Sequence, residues 1–216
     1  MDERGMNTPG TQLPGVSFFP ETAGPRFGVL GSGKGSNFRA LAEEWRSGTL
    51  GATPVTVLSD METAGILPLG REFGIPTHYV NPGPYRTKMD PEAEKKVVRL
   101  LREAKVDFVV LAGFMRVIKA PLLEAFPGRI LNIHPSLLPE FRGLQAWRQA
   151  LEAGVQEAGC TVHLVDAGVD TGRILGQSRV PVLSGDTAES LHARIQVAEH
   201  ELYPRIVRDF AKQIHG

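Results

Sequence analysis

Arg26-Phe27-Gly28-Val29-Leu30-Gly31-Ser32-Gly33-Lys34-Gly35-Ser36-Asn37 changes character twice. Residues 26–30 are a short, mostly apolar run of the kind that forms a buried strand. Residues 31–35 are a glycine-rich turn, and beyond it Phe38, Leu41, Ala42 and Trp45 recur at helical spacing. Strand, glycine turn and helix start together make an anion site. The first N–H groups of a helix are unpaired, the helix dipole is positive there, and glycine lets a phosphate approach. The turn is not a P-loop, because no Gly-Lys-Ser/Thr closes it. Gly31 and Gly33 begin a dinucleotide pattern, but Ser36 stands where the third glycine belongs. Ser36 and Asn37 add side-chain donors, so a single phosphate monoester fits better than a pyrophosphate. The competing reading is a plain strand-to-helix turn with Ser36 or Asn37 as the cap.

Outward from this turn, strand and helix patterns alternate. Residues 53–59 and 77–80 read as strands, with a short helix over 65–73 closed by Gly74. Asn81-Pro82-Gly83-Pro84 is a turn that leaves Tyr85, Arg86 and Lys88 exposed. Residues 91–104 form an amphipathic helix with Pro91 in its first turn and Val97, Val98, Leu100 and Leu101 inward. Residues 108–112 are apolar throughout, as in a central strand, and 121–126 form a short helix. Residues 144–153 are helical, 160–165 a strand carrying His163, and 174–182 one or two short antiparallel strands. Asp186 and Glu189 open the last helix, whose buried stripe is Leu191, Ile195, Ala198, Leu202 and Ile206. Gln196 and Glu199 share a flank of that stripe, and Pro204 is expected to bend or interrupt it.

This alternation predicts an α/β, Rossmann-like doubly wound sheet with right-handed crossovers. Its fourth strand should lie beside the first, opposite the second. The glycine turn and the Gly113-Phe114-Met115-Arg116 loop then flank the switch point, where ligands bind. The neighbouring strand is Ile130-Leu131-Asn132-Ile133-His134, stopped by Pro135. Asn132 and His134 are two apart and point the same way from its end. An amide donor and an imidazole suit attack on a carbonyl: Asn132 donates to an oxyanion, and His134 moves a proton near neutral pH. Alternatively, Asn132 caps a turn and His134 satisfies a backbone carbonyl. A carboxylate would complete the set, and Asp170, in the glycine-flanked loop 166–172, is the best candidate. His163 reads as a packed or paired strand residue.

Composition bounds the rest. The 216 residues carry 24 basic and 24 acidic side chains, a formal net charge of +0, so neither a nucleic-acid nor a membrane surface is expected. Cys160 is the single cysteine, which fits a reducing compartment and a cytoplasmic location. The six histidines have no partners at metal-ligand spacing, so no metal site is expected. Residues 1–25 read as an N-terminal extension, loosely ordered, with Phe18 and Phe19 able to tack it down. One domain over 26–216 should follow.

Taken in order, Gly-Ser-Asn at 35–37, Leu-Ala-Gly-Phe-Met-Arg at 111–116 and Asn-Ile-His-Pro-Ser-Leu-Leu-Pro at 132–139 form a recognisable series. Gly-Cys-Thr-Val-His at 159–163, Val-Asp-Thr-Gly at 169–172 and Ala-Glu-His at 198–200 continue it. In these motifs the chain resembles the phosphoribosylglycinamide formyltransferases, folate-dependent enzymes of purine biosynthesis. The resemblance implies a mixed, mostly parallel seven-stranded sheet. It also implies transfer of a formyl group from 10-formyltetrahydrofolate to phosphoribosylglycinamide, both small molecules, by a monomer or homodimer. By the same resemblance Asn132, His134 and Asp170 are catalytic, with Asp170 keeping His134 charged. Gly35, Ser36, Asn37, Gln196 and Glu199 would hold the phosphorylated substrate. Arg86, Met115, Arg116, Val117, Ile118, Asp166, Ala167, Gly168, Val169 and Asp170 would line the folate pocket, Arg86 meeting the glutamate tail. The segment 141–147 departs from the His-containing version of some members, and its Arg142 is similar to methionyl-tRNA formyltransferases. A formyltetrahydrofolate deformylase would be expected to carry an N-terminal regulatory domain, and a methionyl-tRNA formyltransferase a C-terminal one. A non-enzymatic nucleotide-binding module would leave Asn132, His134 and Asp170 without a shared purpose.

Overall fold

Apolar residues on successive strand positions divide between two faces, and this division organises the fold. In the computed structural model, which describes residues 24–215, β4 (Phe108–Leu111) sends Phe108 and Val110 into one core and Val109 and Leu111 into another. A strand buried on both faces lies in the middle of a sheet. The sheet has seven strands in the order β3-β2-β1-β4-β5-β6-β7. β1 (Arg26–Leu30) pairs in parallel with β2 (Thr53–Ser59) and β4; β3 (Thr77–Tyr79) and β5 (Ile130–His134) extend the parallel part. β6 (Glu157–Leu164) and β7 (Ile174–Pro181) are antiparallel additions beyond β5.

Helices α1 (Ser36–Arg46), α2 (Ile66–Glu72), α5 (Ala146–Glu152) and α6 (Ala188–His215) contribute to the core on one face. Helices α3 (Pro91–Glu103) and α4 (Ala120–Ala125) cover the other. On β5, Leu131 and Ile133 pack toward α6, so Asn132 and His134 emerge on the α3/α4 side, beyond Ile130.

Most boundaries follow the expected pattern, with three differences. Helix α5 starts at Ala146, not Leu144, because Gln145 has φ 55 and Gly143 φ 81, left-handed conformations that a helix cannot include. β6 starts at Glu157, not Cys160, while β7, expected as one or two strands, is a single strand. Helix α6 runs through Pro204 without interruption. Proline removes one hydrogen bond there, but Leu202, Tyr203, Ile206 and Val207 are buried and keep the helix continuous. The expectation for residues 1–25, including Phe18 and Phe19, falls outside the described residues except at Gly24 and Pro25.

Tyr203 also fixes α6 to the sheet. It is fully buried, and its hydroxyl reaches the carbonyls of Leu111 (2.9 Å) and Leu131 (3.1 Å), on adjacent strands β4 and β5. Tyr203→Phe removes this donor and leaves both carbonyls without it. It should cost roughly 1–3 kcal/mol, a fall in Tm of about 2–4 °C per kcal/mol for a chain of this size. An unchanged thermal midpoint would show that the hydroxyl does not pin the helix.

Candidate active site

The antiparallel turn of β6 puts His163 opposite Asn132, on the same face. Asn132 Nδ2 lies 3.1 Å from His163 Nε2, and His163 Nδ1 lies 2.9 Å from the Leu164 carbonyl. A carbonyl only accepts, so the proton sits on Nδ1 and Nε2 is left to accept from Asn132. His163 therefore orients the Asn132 amide. The loop after β6 brings Asp170 over both histidines. Its Oδ2 is 3.4 Å from His134 Nδ1 and its Oδ1 3.6 Å from His163 Nε2. Gly143 N–H donates to Asp170 Oδ2 at 2.9 Å, and His134 Nε2 lies 2.9 Å from the Phe141 carbonyl. Asp170 itself has φ 54, a left-handed conformation that aspartate tolerates better than most residues. Thus the three expected catalytic residues converge. The segment 141–147, whose contacts the sequence left open, supplies main-chain groups to two of them.

Burial sets the charge of the pair. It would raise Asp170, but the adjoining His163 and His134 rings and the Gly143 N–H together hold the carboxyl below its usual range. Asp170 is an anion at neutral pH. For His134 burial prevails: it lowers the ring below its ordinary value, and the Phe141 carbonyl and Asp170 only partly offset it. This corrects the expectation that Asp170 keeps His134 protonated. At rest the ring is neutral and donates through Nε2 to Phe141. Its Nδ1 faces the carboxylate, ready to hold a second proton.

The glycine turn leads to a second cluster. Gly35, at φ 83, is the N-cap of α1, and no side chain caps the helix. Ser36 and Asn37 are the first helical residues rather than caps, which removes the plain capped-turn reading. An added Cβ at Gly31 would come within 2.8 Å of the Ala112 carbonyl, so that glycine serves chain packing. Asn37 Nδ2 donates to Glu199 Oε2 at 2.9 Å, joining α1 to α6. Glu199 is buried, and burial pushes its carboxyl up to about 7 against the Asn37 hydrogen bond. Gln196, half-buried, lies one turn earlier on α6. Asn37 Oδ1 is buried without a protein partner. The site thus combines uncapped helix N–H groups with an unsatisfied acceptor and a carboxyl that can carry a proton.

A third group of segments faces the same strand ends. Met115 and Val169 are exposed, as is Leu144 in the loop before α5. Val117 N–H donates to the Thr87 carbonyl at 2.9 Å, and Lys88 and Val117 form a parallel bridge, so the segment bearing Arg86 lies beside 115–118. Arg86 is exposed and Ile118 buried. Asp166 Oδ1 accepts from Gly168 N–H (3.0 Å) and Thr171 Oγ1 (2.6 Å), closing the 166–171 loop on itself. Ala167, Gly168 and Val169 form its exposed tip. The Arg116 guanidinium does not face this opening; it is turned inward onto Asp60. Only its main chain remains for a ligand. Among the described residues, no group of three or more His, Cys, Asp or Glu side chains is arranged to hold a metal.

Residues 25–207 match the family model described as formyl transferase. The chain belongs to the formyl transferase family. It is 39% identical over 183 residues to phosphoribosylglycinamide formyltransferase of Bacillus subtilis (strain 168), covering 85% of this chain and 93% of the relative. It is 46% identical over 182 residues to the trifunctional purine biosynthetic protein adenosine-3 of Drosophila pseudoobscura pseudoobscura. That match covers 83% of this chain but only 13% of the much longer relative. Among solved structures, glycinamide ribonucleotide transformylase 1 from Symbiobacterium toebii superposes with a TM-score of 0.83 at 44% identity, over 95% of this chain and 94% of the other. The seven-stranded, mostly parallel sheet is that of the formyltransferase fold.

His163, read from sequence as packed or paired, lies beside two expected catalytic residues, Asn132 and Asp170. Its sequence signal was too slight: only the β5–β6 register reveals that it faces Asn132. Ser32 and Asp60, whose hydrogen bonds join the loops beside this opening, also escaped notice, because the sequence places those loops apart.

The charge balance around His134 can be measured directly. Its ring should titrate below 6.5 in the ligand-free protein. Asp170→Asn removes a charge that favours the imidazolium, so the midpoint should fall further and the proton should leave at lower pH. Ring NMR of His134 against pH gives both values; a rise in the variant would overturn this account.

Proposed function

We infer that this chain transfers the formyl group of 10-formyltetrahydrofolate to the amine of 5-phosphoribosylglycinamide in purine (IMP) biosynthesis. The observation that carries the reading is the Asn132–His134–Asp170 cluster at the end of β5, beside an uncapped helix start and an exposed, partly apolar opening. The phosphate is held at Gly35, Ser36 and Asn37, with Glu199 and Gln196 on the sugar side. The folate lies against 115–118 and 166–170, with Arg86 available to its glutamate carboxylates. Both are small-molecule substrates. A buried lone thiol, pushed up to about 12 by burial, is compatible with a reducing, cytoplasmic setting.

The chemistry follows from charge development. The neutral amine attacks the formyl carbon, and negative charge appears on the formyl oxygen. Asn132 donates one hydrogen bond to it. His134 Nε2–H supplies another once the oxyanion replaces the Phe141 carbonyl as its acceptor. An anion beside the ring raises its pKa, so His134, neutral at rest, takes up its second proton as the intermediate forms. Asp170 Oδ2 lies on the Nδ1 side to hold that proton. The ammonium of the intermediate supplies that proton, His134 gives one up to N10 of the folate, the C–N10 bond breaks and the formyl C=O re-forms. No covalent enzyme intermediate is required.

The test is formyl transfer from 10-formyltetrahydrofolate with phosphoribosylglycinamide present or replaced by water alone. Transfer only with the amine is expected; formyl release to water at a similar rate would mark a hydrolase instead. Asn132→Ala should lower kcat by about 10²–10³-fold.

A further inference from the structure

Asp60, directly after β2, lies deep in the protein, 4% exposed, with both oxygens engaged. Ser32 Oγ donates to Oδ1 at 2.6 Å, and Arg116 Nε donates to Oδ2 at 2.6 Å. Ser32 belongs to the glycine turn after β1, Asp60 follows β2, and Arg116 lies in the loop after β4. Ser32 Oγ also accepts from Met115 N–H at 2.9 Å. The same Arg116 side chain then reaches forward: Nη1 donates to the carbonyls of Tyr85 (2.6 Å) and Lys88 (3.2 Å), with Arg86 O at 3.3 Å. One buried ion pair therefore ties together the glycine turn, the 115–118 segment and the segment carrying Arg86.

In dinucleotide-binding folds a carboxylate near this place accepts from a ribose hydroxyl. Here Ser32 and Arg116 occupy Asp60, so it does not present itself to a ribose. A planar guanidinium is suited to the task it has instead, because its fork reaches a carboxylate and main-chain carbonyls at once. Lysine is a point charge and reaches only part of such a set. Among the described residues, these are the contacts that draw residues 85–88 inward from the Arg116 side chain.

We propose that Ser32, Asp60 and Arg116 are positioning residues for folate: Arg116, clamped by Asp60, holds the 85–88 and 115–118 segments in the mutual placement that the folate needs. This rests on the formyl-transfer reading for the identity of the ligand. None of the three side chains acts by touching the reacting atoms. Their removal should appear in folate affinity and not in the phosphorylated substrate, whose loop is also secured by Gly35 and the Asn37–Glu199 bond.

The experiment compares Arg116→Lys and Ser32→Ala with the wild-type chain. Calorimetric titration with tetrahydrofolate and, separately, with phosphoribosylglycinamide gives two dissociation constants for each protein. Arg116→Lys retains the charge against Asp60 but loses the fork, and should weaken tetrahydrofolate binding at least fivefold while changing the other constant less than twofold. Ser32→Ala leaves the ion pair intact and frees Met115 N–H; it should show a smaller shift in the same direction and carries the test if the lysine variant does not fold. Equal weakening of both ligands, or no change in tetrahydrofolate binding by a folded variant, would overturn the proposal. Failure of the wild-type chain to transfer a formyl group despite binding tetrahydrofolate would instead count against the formyl-transfer reading and leave the clamp standing.

Discussion

A carboxylate drawn largely out of water needs a donor, and groups from three separate elements surround Asp170. His134 comes from β5, His163 from β6 and the Gly143 N–H from the segment before α5. None of these is adjacent in sequence. The position of Asp170 therefore depends together on the antiparallel pair, the path of the 141–147 segment and its own left-handed turn.

The same centre shows burial and charge acting against each other. Asp170 favours a protonated His134, yet loss of water around the ring outweighs that help in the resting protein. An imidazole so placed responds to new negative charge more strongly than one in water, because the surroundings screen it less. In the proposed reaction such a site stays close to vacant until an oxyanion appears. Asp170 does not need to hold a permanent cation to serve this end.

Loops at the ends of parallel strands carry the other two binding regions, and the sheet order explains their proximity. β1 sits between β2 and β4, so the turns after all three strands meet above it. Ser32, Asp60 and Arg116 are the residues that join them, and α6 closes the far side through Tyr203 and Glu199. A site built from so many segments needs internal ties, since each loop alone has few apolar contacts to hold it.

The sequence by itself determined a great deal. Strand and helix periodicity set the α/β class and the neighbours of β1, and Asn132 and His134 were legible because two residues of spacing in a strand means one face. The motif series carried the family. Local pattern could not show that His163 faces Asn132, that Phe141 and Gly143 lend main-chain groups to His134 and Asp170, or that Arg116 turns inward to Asp60. Each depends on partners 7 to 56 residues apart, brought together by strand register and loop closure. Nor could it give the resting charge of His134. That charge is set by how much water the fold removes, and only the tertiary structure decides it.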